Sequence, residues 1–275
     1  MVPKSNPEVE RARSASAEEI PALAYASSED VLIALLENPR RGESHLRLLL
    51  ERKDLPGTVL EAIARRKEWL RSYRVKRQLA FHMHAPRLLV MRLARELFLM
   101  DLVQLSLLPS VAVEIRRLAE ELIIARLPQL PLGQKLTLAR RGPARVAGSL
   151  LAEGHEQVVR VALDNALLTE AQVLKVLSRE HLPAPVVPGI ARHRKWSQVY
   201  NVRVALIRHP MAPLARLLSF LPDLALRDLE DLCDHKAVSA SLRRYIRHEI
   251  ARRSAAGERA SRRNAAAGMA PRARE

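Results

Sequence analysis

Apolar residues recur at three- and four-residue spacing through most of this chain, the period of a helix with one buried face. In LPGTVLEAIARRKEWLRSYRVKRQLAFHMHAP, residues 55–86, Val59 and Ile63 share a face of one predicted helix, and Val75, Leu79 and His82 form a stripe on the next. Pro56 is placed at the first helical position, where its fixed φ fits and its missing N–H would be unpaired anyway. The first helix is expected to end near Trp69. The second ends before Ala85-Pro86, because the residue before a proline is pushed out of the α region. The unit reads as helix, corner, helix and proline restart.

The pattern returns 127 residues later, without a gap, as LPAPVVPGIARHRKWSQVYNVRVALIRHPMAP, residues 182–213; 13 of the 32 positions are identical, and both tryptophans of the chain, Trp69 and Trp196, coincide. Upstream, Val31, Leu36 and Asn38 align with Val158, Leu163 and Asn165; downstream, Asp101 and Leu102 align with Asp228 and Leu229, and Arg116-Arg117 with Arg243-Arg244. An internal repeat of this kind marks an array of stacked units, since one helix pair cannot bury its apolar stripe alone. The expected fold is all-α: a right-handed α-solenoid of short helix pairs, built from two related halves.

Along the chain, residues 1–16 are polar and are read as a disordered arm. Residues 17–128 form a first helical-repeat half and 129–253 a second, in one continuous solenoid. Residues 254–275, SAAGERASRRNAAAGMAPRARE, lack an apolar stripe and are read as a disordered basic tail. Within the first half, 87–100 is apolar nearly all round and is expected to be buried between neighbours.

Composition sharpens this. Hydrophobic residues make up 48% of the chain but aromatic ones only 3%, so aliphatic packing dominates and no strand-like alternation stands out. The single cysteine, Cys233, excludes an internal disulfide and a cysteine-built metal cluster within one chain. No secretory signal is visible, and the most apolar window, 97–113, contains Asp101, Gln104 and Pro109, so no membrane partner is expected and the location is read as cytoplasmic. Net charge is +16, of which the stretch 243–275, with ten Arg and three Glu, carries +7.

Candidate chemistry is sparse. There is no phosphate-binding glycine loop and no paired carboxylate recurring in both copies, so catalytic residues, cofactors and metals are all read as none. His82-Met83-His84 has the wrong spacing for a shared helix face. His82 and His209 are expected at helix C-termini, close to the last carbonyls. Trp69 with Tyr73, and Trp196 with Tyr200, could cage a ligand or stack a base, but packing between helices is the reading adopted. Asp101 and Asp228 are expected to precede short helices, capping them or interacting with the helix dipole. Candidate binding residues are the basic positions off the apolar stripes, Arg65, Lys76, Arg192 and Arg203, with Arg243, Arg244 and Arg247 near the tail; they could line a basic groove.

Three stretches, ALLENPRR (34–41), VALDNALLTEAQVL (161–174) and LIRHPMAPLARLL (206–218), resemble leucine-rich-repeat-variant and HEAT-like helical repeats, whose units carry Asn-Pro before a helix start. Asn-Pro is intact at Asn38-Pro39 and becomes Asn165-Ala166 and His209-Pro210 elsewhere. The resemblance implies a right-handed solenoid and partner binding. The expected function is therefore a non-enzymatic scaffold or adaptor for a protein partner. The alternative is a nucleic-acid binder that reads the phosphate backbone with a basic face and the Arg-rich C-terminus. A HEAT-like DNA glycosylase ranks third, without a catalytic carboxylate to support it.

Overall fold

In the computed structural model of the 275-residue chain, residues 6–268 are described, with side chains through 257. Helices are the only regular elements among the described residues, which include no strand. The chain divides into two compact units between Pro128 and Gln129.

The first unit contains α1 (Pro7–Ser14), α2 (Ile20–Leu23), α3 (Glu29–Leu35), α4 (Glu43–Leu50), α5 (Gly57–Arg65), α6 (Tyr73–Phe81), α7 (Arg87–Ala94), α8 (Leu99–Leu107) and α9 (Val113–Arg126). A 3₁₀ turn, Trp69–Arg71, joins α5 to α6. Helices pack on sequence neighbours, as α8 does on α9, and on helices two elements away: α1 on α3, α3 on α5, α7 on α9, and α2 on α4, α4 on α6. The seam is aliphatic. Leu32, Leu49, Leu60, Ile63, Leu79, Leu93, Leu102 and Leu105 are almost wholly buried, and each such side chain stabilises by about 1.5–3 kcal/mol relative to exposure.

The second unit contains α10 (Leu132–Arg141), α11 (Ala144–Glu153), α12 (Glu156–Leu163), α13 (Glu170–Leu177), α14 (Val186–Arg192), α15 (Tyr200–Arg208), α16 (Leu214–Phe220), α17 (Leu226–Asp234) and α18 (Ala240–Gly268), with a 3₁₀ turn Trp196–Gln198 between α14 and α15. Here α10 packs on α12 and α12 on α14, while α11, α13, α15 and α17 follow one another. Several elements start and stop 127 residues after a counterpart: α4 and α13, α6 and α15, α8 and α17, and the two tryptophan turns.

The same offset holds in the hydrogen bonds. Asn38, fully buried, donates from Nδ2 to the carbonyls of Ala12 (3.1 Å) and Ala15 (2.9 Å) and accepts from Arg40 N–H (2.8 Å). Asn165 donates to Ala139 (2.8 Å) and Gly142 (3.1 Å) and accepts from Leu167 N–H (2.7 Å). Arg126 donates to the carbonyls of Leu97 and Arg95, and Arg253 to those of Leu224, Leu221 and Pro222. In each case a side chain from a later segment closes carbonyls at the end of an earlier helix, groups that have no partner inside that helix.

Several expectations change. Residues 7–14, expected as part of a disordered arm, form α1: Asn6 caps it by accepting from Glu8 N–H, Pro7 opens it, and Ala12 and Ala15 are buried. The anchor is small alanines and a buried Asn38, not an apolar stripe. The chain also stays helical from 254 to Gly268, where a disordered tail was expected; the remainder of that stretch, 269–275, and residues 1–5 lie outside the described residues. The α7 region is not buried all round: Leu88 is 82% exposed and Met91 lies at the surface. Pro56 occupies an N-cap position with extended backbone rather than the first helical turn, and Pro86 and Pro213 stand likewise before α7 and α16. Gly154, at φ 78°, ends α11 where a Cβ would fall 2.1 Å from Pro183 Cβ, so only glycine fits.

Replacing Asn38 or Asn165 with alanine leaves two buried carbonyls and one N–H without partners. Each substitution is expected to destabilise its unit by about 1–3 kcal/mol in urea unfolding. A change within a few tenths of a kcal/mol would show that these carbonyls find water instead.

Candidate functional site

The expected site residues fall into two groups, those spent on packing and those left to solvent. Tyr73 opens α6 and its hydroxyl donates to Asp101 Oδ2 while accepting from Phe98 N–H at 2.9 Å. Its ring stacks on Phe98, centroids 3.8 Å apart. Tyr200 does the same work with Asp228 and Ala225 N–H. Burial and the Asp101 carboxylate push the Tyr73 phenol up, and the Asp228 carboxylate raises Tyr200. Asp101 and Asp228 are third residues of α8 and α17 rather than residues before them, and so lie in the first turn, where a carboxylate meets the helix dipole. The N-terminus of each helix is therefore closed by a tyrosine and carboxylate acting together, and neither tyrosine forms a cage with its tryptophan.

His82 ends α6, and its Nε2 meets the carbonyl of Arg52, just past α4, at 2.7 Å; its Nδ1 accepts from His84 N–H, which makes Nε2 the donor. His209 ends α15, is buried, and accepts from Met211 N–H; burial pushes its imidazole below the ordinary value. Among the described residues there is no group of three or more His, Cys, Asp or Glu placed to hold a metal.

The basic candidates divide sharply. Lys76 is 19% exposed and pairs with Glu96. Arg203 is 11% exposed and donates to Ser197 O (2.6 Å), Asp223 (2.8 Å) and Gln198 (2.8 Å). Neither is presented to a groove. Arg243 donates to the carbonyls of His235 and Val238. Arg65 is exposed beside Glu61 at 3.5 Å, and Arg192, Arg244 and Arg247 are exposed. The structure thus leaves four of the seven as surface charges and spends three on holding helices together.

Arginines unmarked in the sequence do similar structural work. Arg52 closes Ala24 and Ala26, Arg92 closes Ala64, and Arg216 closes Ala191. Arg253 is held in turn by Glu249, a buried carboxylate. Arg252 and Arg253 hold the Glu249 carboxyl at about 2, well below its ordinary 4.5. The acceptors are backbone carbonyls, which leave no residue signature.

Two clefts remain. One, about 600 Å³, lies in the second unit between α12 and α14, with Leu163, Pro188 and Gly189 on its floor and Arg160, Arg192 and His193 on its rim. Arg160 pairs with Glu156 and His193 Nε2 meets Asp164, while Arg192 makes no ion pair among the described residues. The other, about 780 Å³, lies in the first unit and is lined by Trp69, Arg41, Arg71, Gly42 and Ser72, with Glu43 and Glu68. The two tryptophans differ. Trp196 is 1% exposed and donates from Nε1 to Leu163 O at 2.9 Å, with Lys195 over its ring. Trp69 is half-buried, with Arg41 over its ring at 5.1 Å and its Nε1 unpartnered. In comparisons with protein-family models, curated proteins and solved structures, nothing matches the chain.

Trp196→Ala removes a buried ring and a hydrogen bond and is expected to cost about 3–5 kcal/mol. Trp69→Ala should cost clearly less. Equal losses in denaturant unfolding would contradict the difference in seating.

The Glu249 carboxyl is depressed in the folded chain, so its contribution is complete above its ordinary pKa of 4.5 and is lost as pH falls from there through about 2. Urea unfolding of Glu249→Gln between pH 2 and 7 should show a flatter acid limb than the parent chain. Parallel limbs would mean that Glu249 is not what holds Arg253.

Proposed function

We propose that the chain is a non-enzymatic helical-repeat scaffold that binds a protein partner, each unit being a short α-solenoid of the right-handed kind expected from its repeat and the two units related by duplication. The observation that carries this reading is the recurrence, at a 127-residue offset, of the Asn38/Asn165, Tyr73/Tyr200 and Arg126/Arg253 hydrogen bonds. Features held in common by both units serve helix stacking. Where they differ, at the tryptophan corner, the second unit is packed and the first opens a cleft, as a scaffold that differentiates its contacts would.

A second reading, phosphate-backbone binding, draws support from α18, whose exposed Arg244 and Arg247 precede a further helical stretch to Gly268 that contains Arg259, Arg262 and Arg263 in sequence. It loses support at Lys76 and Arg203, which are neutralised by carboxylates. No helix among the described residues is long and apolar enough to cross a membrane.

The full chain, immobilised and exposed to host extract with and without nuclease, is expected to retain a protein partner in both. Duplex DNA titrated at rising salt should bind weakly. Capture abolished by nuclease, with a log–log salt slope of about −3 or steeper, would move the assignment to nucleic acid, because such a slope reports three or more released counterions.

A further inference from the structure

Trp69 and Trp196 hold one position in the sequence repeat and the same 3₁₀ turn, yet only one of them is finished. The residues around them explain why. Arg41 stands where the second unit has Leu168, an aliphatic residue 3% exposed. Gly42 stands where the second unit has Thr169, whose hydroxyl accepts from Gln172 N–H at the start of α13. A Cβ added at Gly42 would meet only Ser44 Oγ, at 3.7 Å, so the space a side chain would fill is open. These exchanges turn a packed corner into a polar cleft with an indole on its wall.

The cleft's charges are not evenly answered. Arg41 donates to Asn38 O at 2.6 Å and pairs with Glu68 at 2.8 Å, and Ser72 donates to Glu43 at 2.8 Å. Both carboxylates are therefore engaged. Arg41 Nε and Trp69 Nε1, however, are buried donors without an acceptor, a state that native structures rarely leave unexplained. Arg71 is exposed on the rim. The lining's charges balance, Arg41 and Arg71 against Glu43 and Glu68, and what is in surplus is hydrogen-bond donors beside an apolar ring, with Arg71 the cation left without an ion pair among the described residues.

We propose that this cleft binds an acidic peptide segment of a protein partner, with a carboxylate against Arg41 and Arg71 and a neighbouring apolar side chain against Trp69. The proposal rests on the scaffold reading and names where, and by what chemistry, the partner is held. A nucleic-acid backbone fits less well. It would carry regularly spaced phosphates past Glu43 and Glu68, whereas a single side-chain carboxylate can sit on the arginine side alone.

The full-length chain with Trp196→Phe keeps Trp69 as its only indole. Titrated with a capped peptide of alternating Leu and Glu, Trp69 emission should shift saturably. The Leu/Gln analogue should bind roughly tenfold more weakly or worse, and Arg41→Leu, which installs the second unit's residue, and Arg71→Ala should each weaken the Glu peptide by about tenfold. A labelled peptide read by anisotropy on the parent chain gives the same comparison without Trp196→Phe. If Arg41→Leu does not fold, Arg71→Ala and the Gln peptide decide. No saturable shift, equal affinity for the Gln peptide, or displacement of the Glu peptide by a short oligonucleotide at equal charge concentration would overturn the proposal. Partner capture unchanged by Arg41→Leu would also overturn it, while leaving the scaffold reading standing; loss of all nuclease-resistant capture by the parent chain would remove the scaffold reading itself.

Discussion

Short helices leave carbonyls exposed. An α-helix has four carbonyls at its C-terminus without an intrahelical partner, whatever its length. In helices such as α4, α6 and α8, of eight or nine residues, that is close to half of the acceptors. Two compact units made from such elements must supply donors at almost every helix end, and water cannot reach the ends that face a neighbour. Asn38 and Asn165, Arg52, Arg92, Arg126, Arg216 and Arg253, His82 and the Trp196 indole all donate to carbonyls roughly a helix pair away in sequence. The leucine seam gathers the helices, and these donors decide how one pair registers on the next.

This constraint changes the meaning of the chain's charge. A net +16 invites a polyanion, and a basic groove is its natural form. Yet guanidinium groups are well suited to helix ends: five N–H donors in a rigid fork can reach two or three carbonyls at once, as Arg253 does. A lysine there would have to give up stronger hydration. Part of the positive excess is accordingly a cost of building with short helices. The cations left open to a partner are those that face solvent, such as Arg71, Arg192, Arg244 and Arg247, with Arg41 partly exposed.

The all-α class was legible because aliphatic spacing records which face of each helix is buried, and the coincidence of Trp69 with Trp196 located the repeat. Contacts made to backbone were much harder to see. Arg126 and Arg253 sit at the same offset as the tryptophans, but their partners are carbonyls, which carry no residue identity. The α1 helix was missed for a related reason. Its packing face is alanine, while its actual signature, Asn6-Pro7 with acidic residues in the first turn and basic ones in the last, is a capping signature rather than an apolar one. Lys76 and Arg203 were misplaced because a lysine or arginine off the apolar stripe looks free until the carboxylate from the next turn of chain, Glu96 or Asp223, is brought against it.

Where two copies of a structural plan share a residue but not its environment, the surrounding exchanges indicate what has been released from packing. At Tyr73 and Tyr200 the partners are matched, and stacking alone accounts for both. At Trp69 and Trp196 they are not. In the second unit Leu168 and Thr169 stand at the corner, and the Trp196 indole is buried with its Nε1 on the Leu163 carbonyl. The first unit instead places a guanidinium over the ring and leaves two donors unanswered. Each unanswered buried donor disfavours the folded state by about 1–3 kcal/mol, a substantial fraction of a typical domain's net stability. Arg116 Nε and Arg243 Nε, one repeat apart, are buried without an acceptor in both units, whereas the unpartnered Trp69 Nε1 has no counterpart at Trp196, so it is the indole rather than the guanidinium that sets the first corner apart.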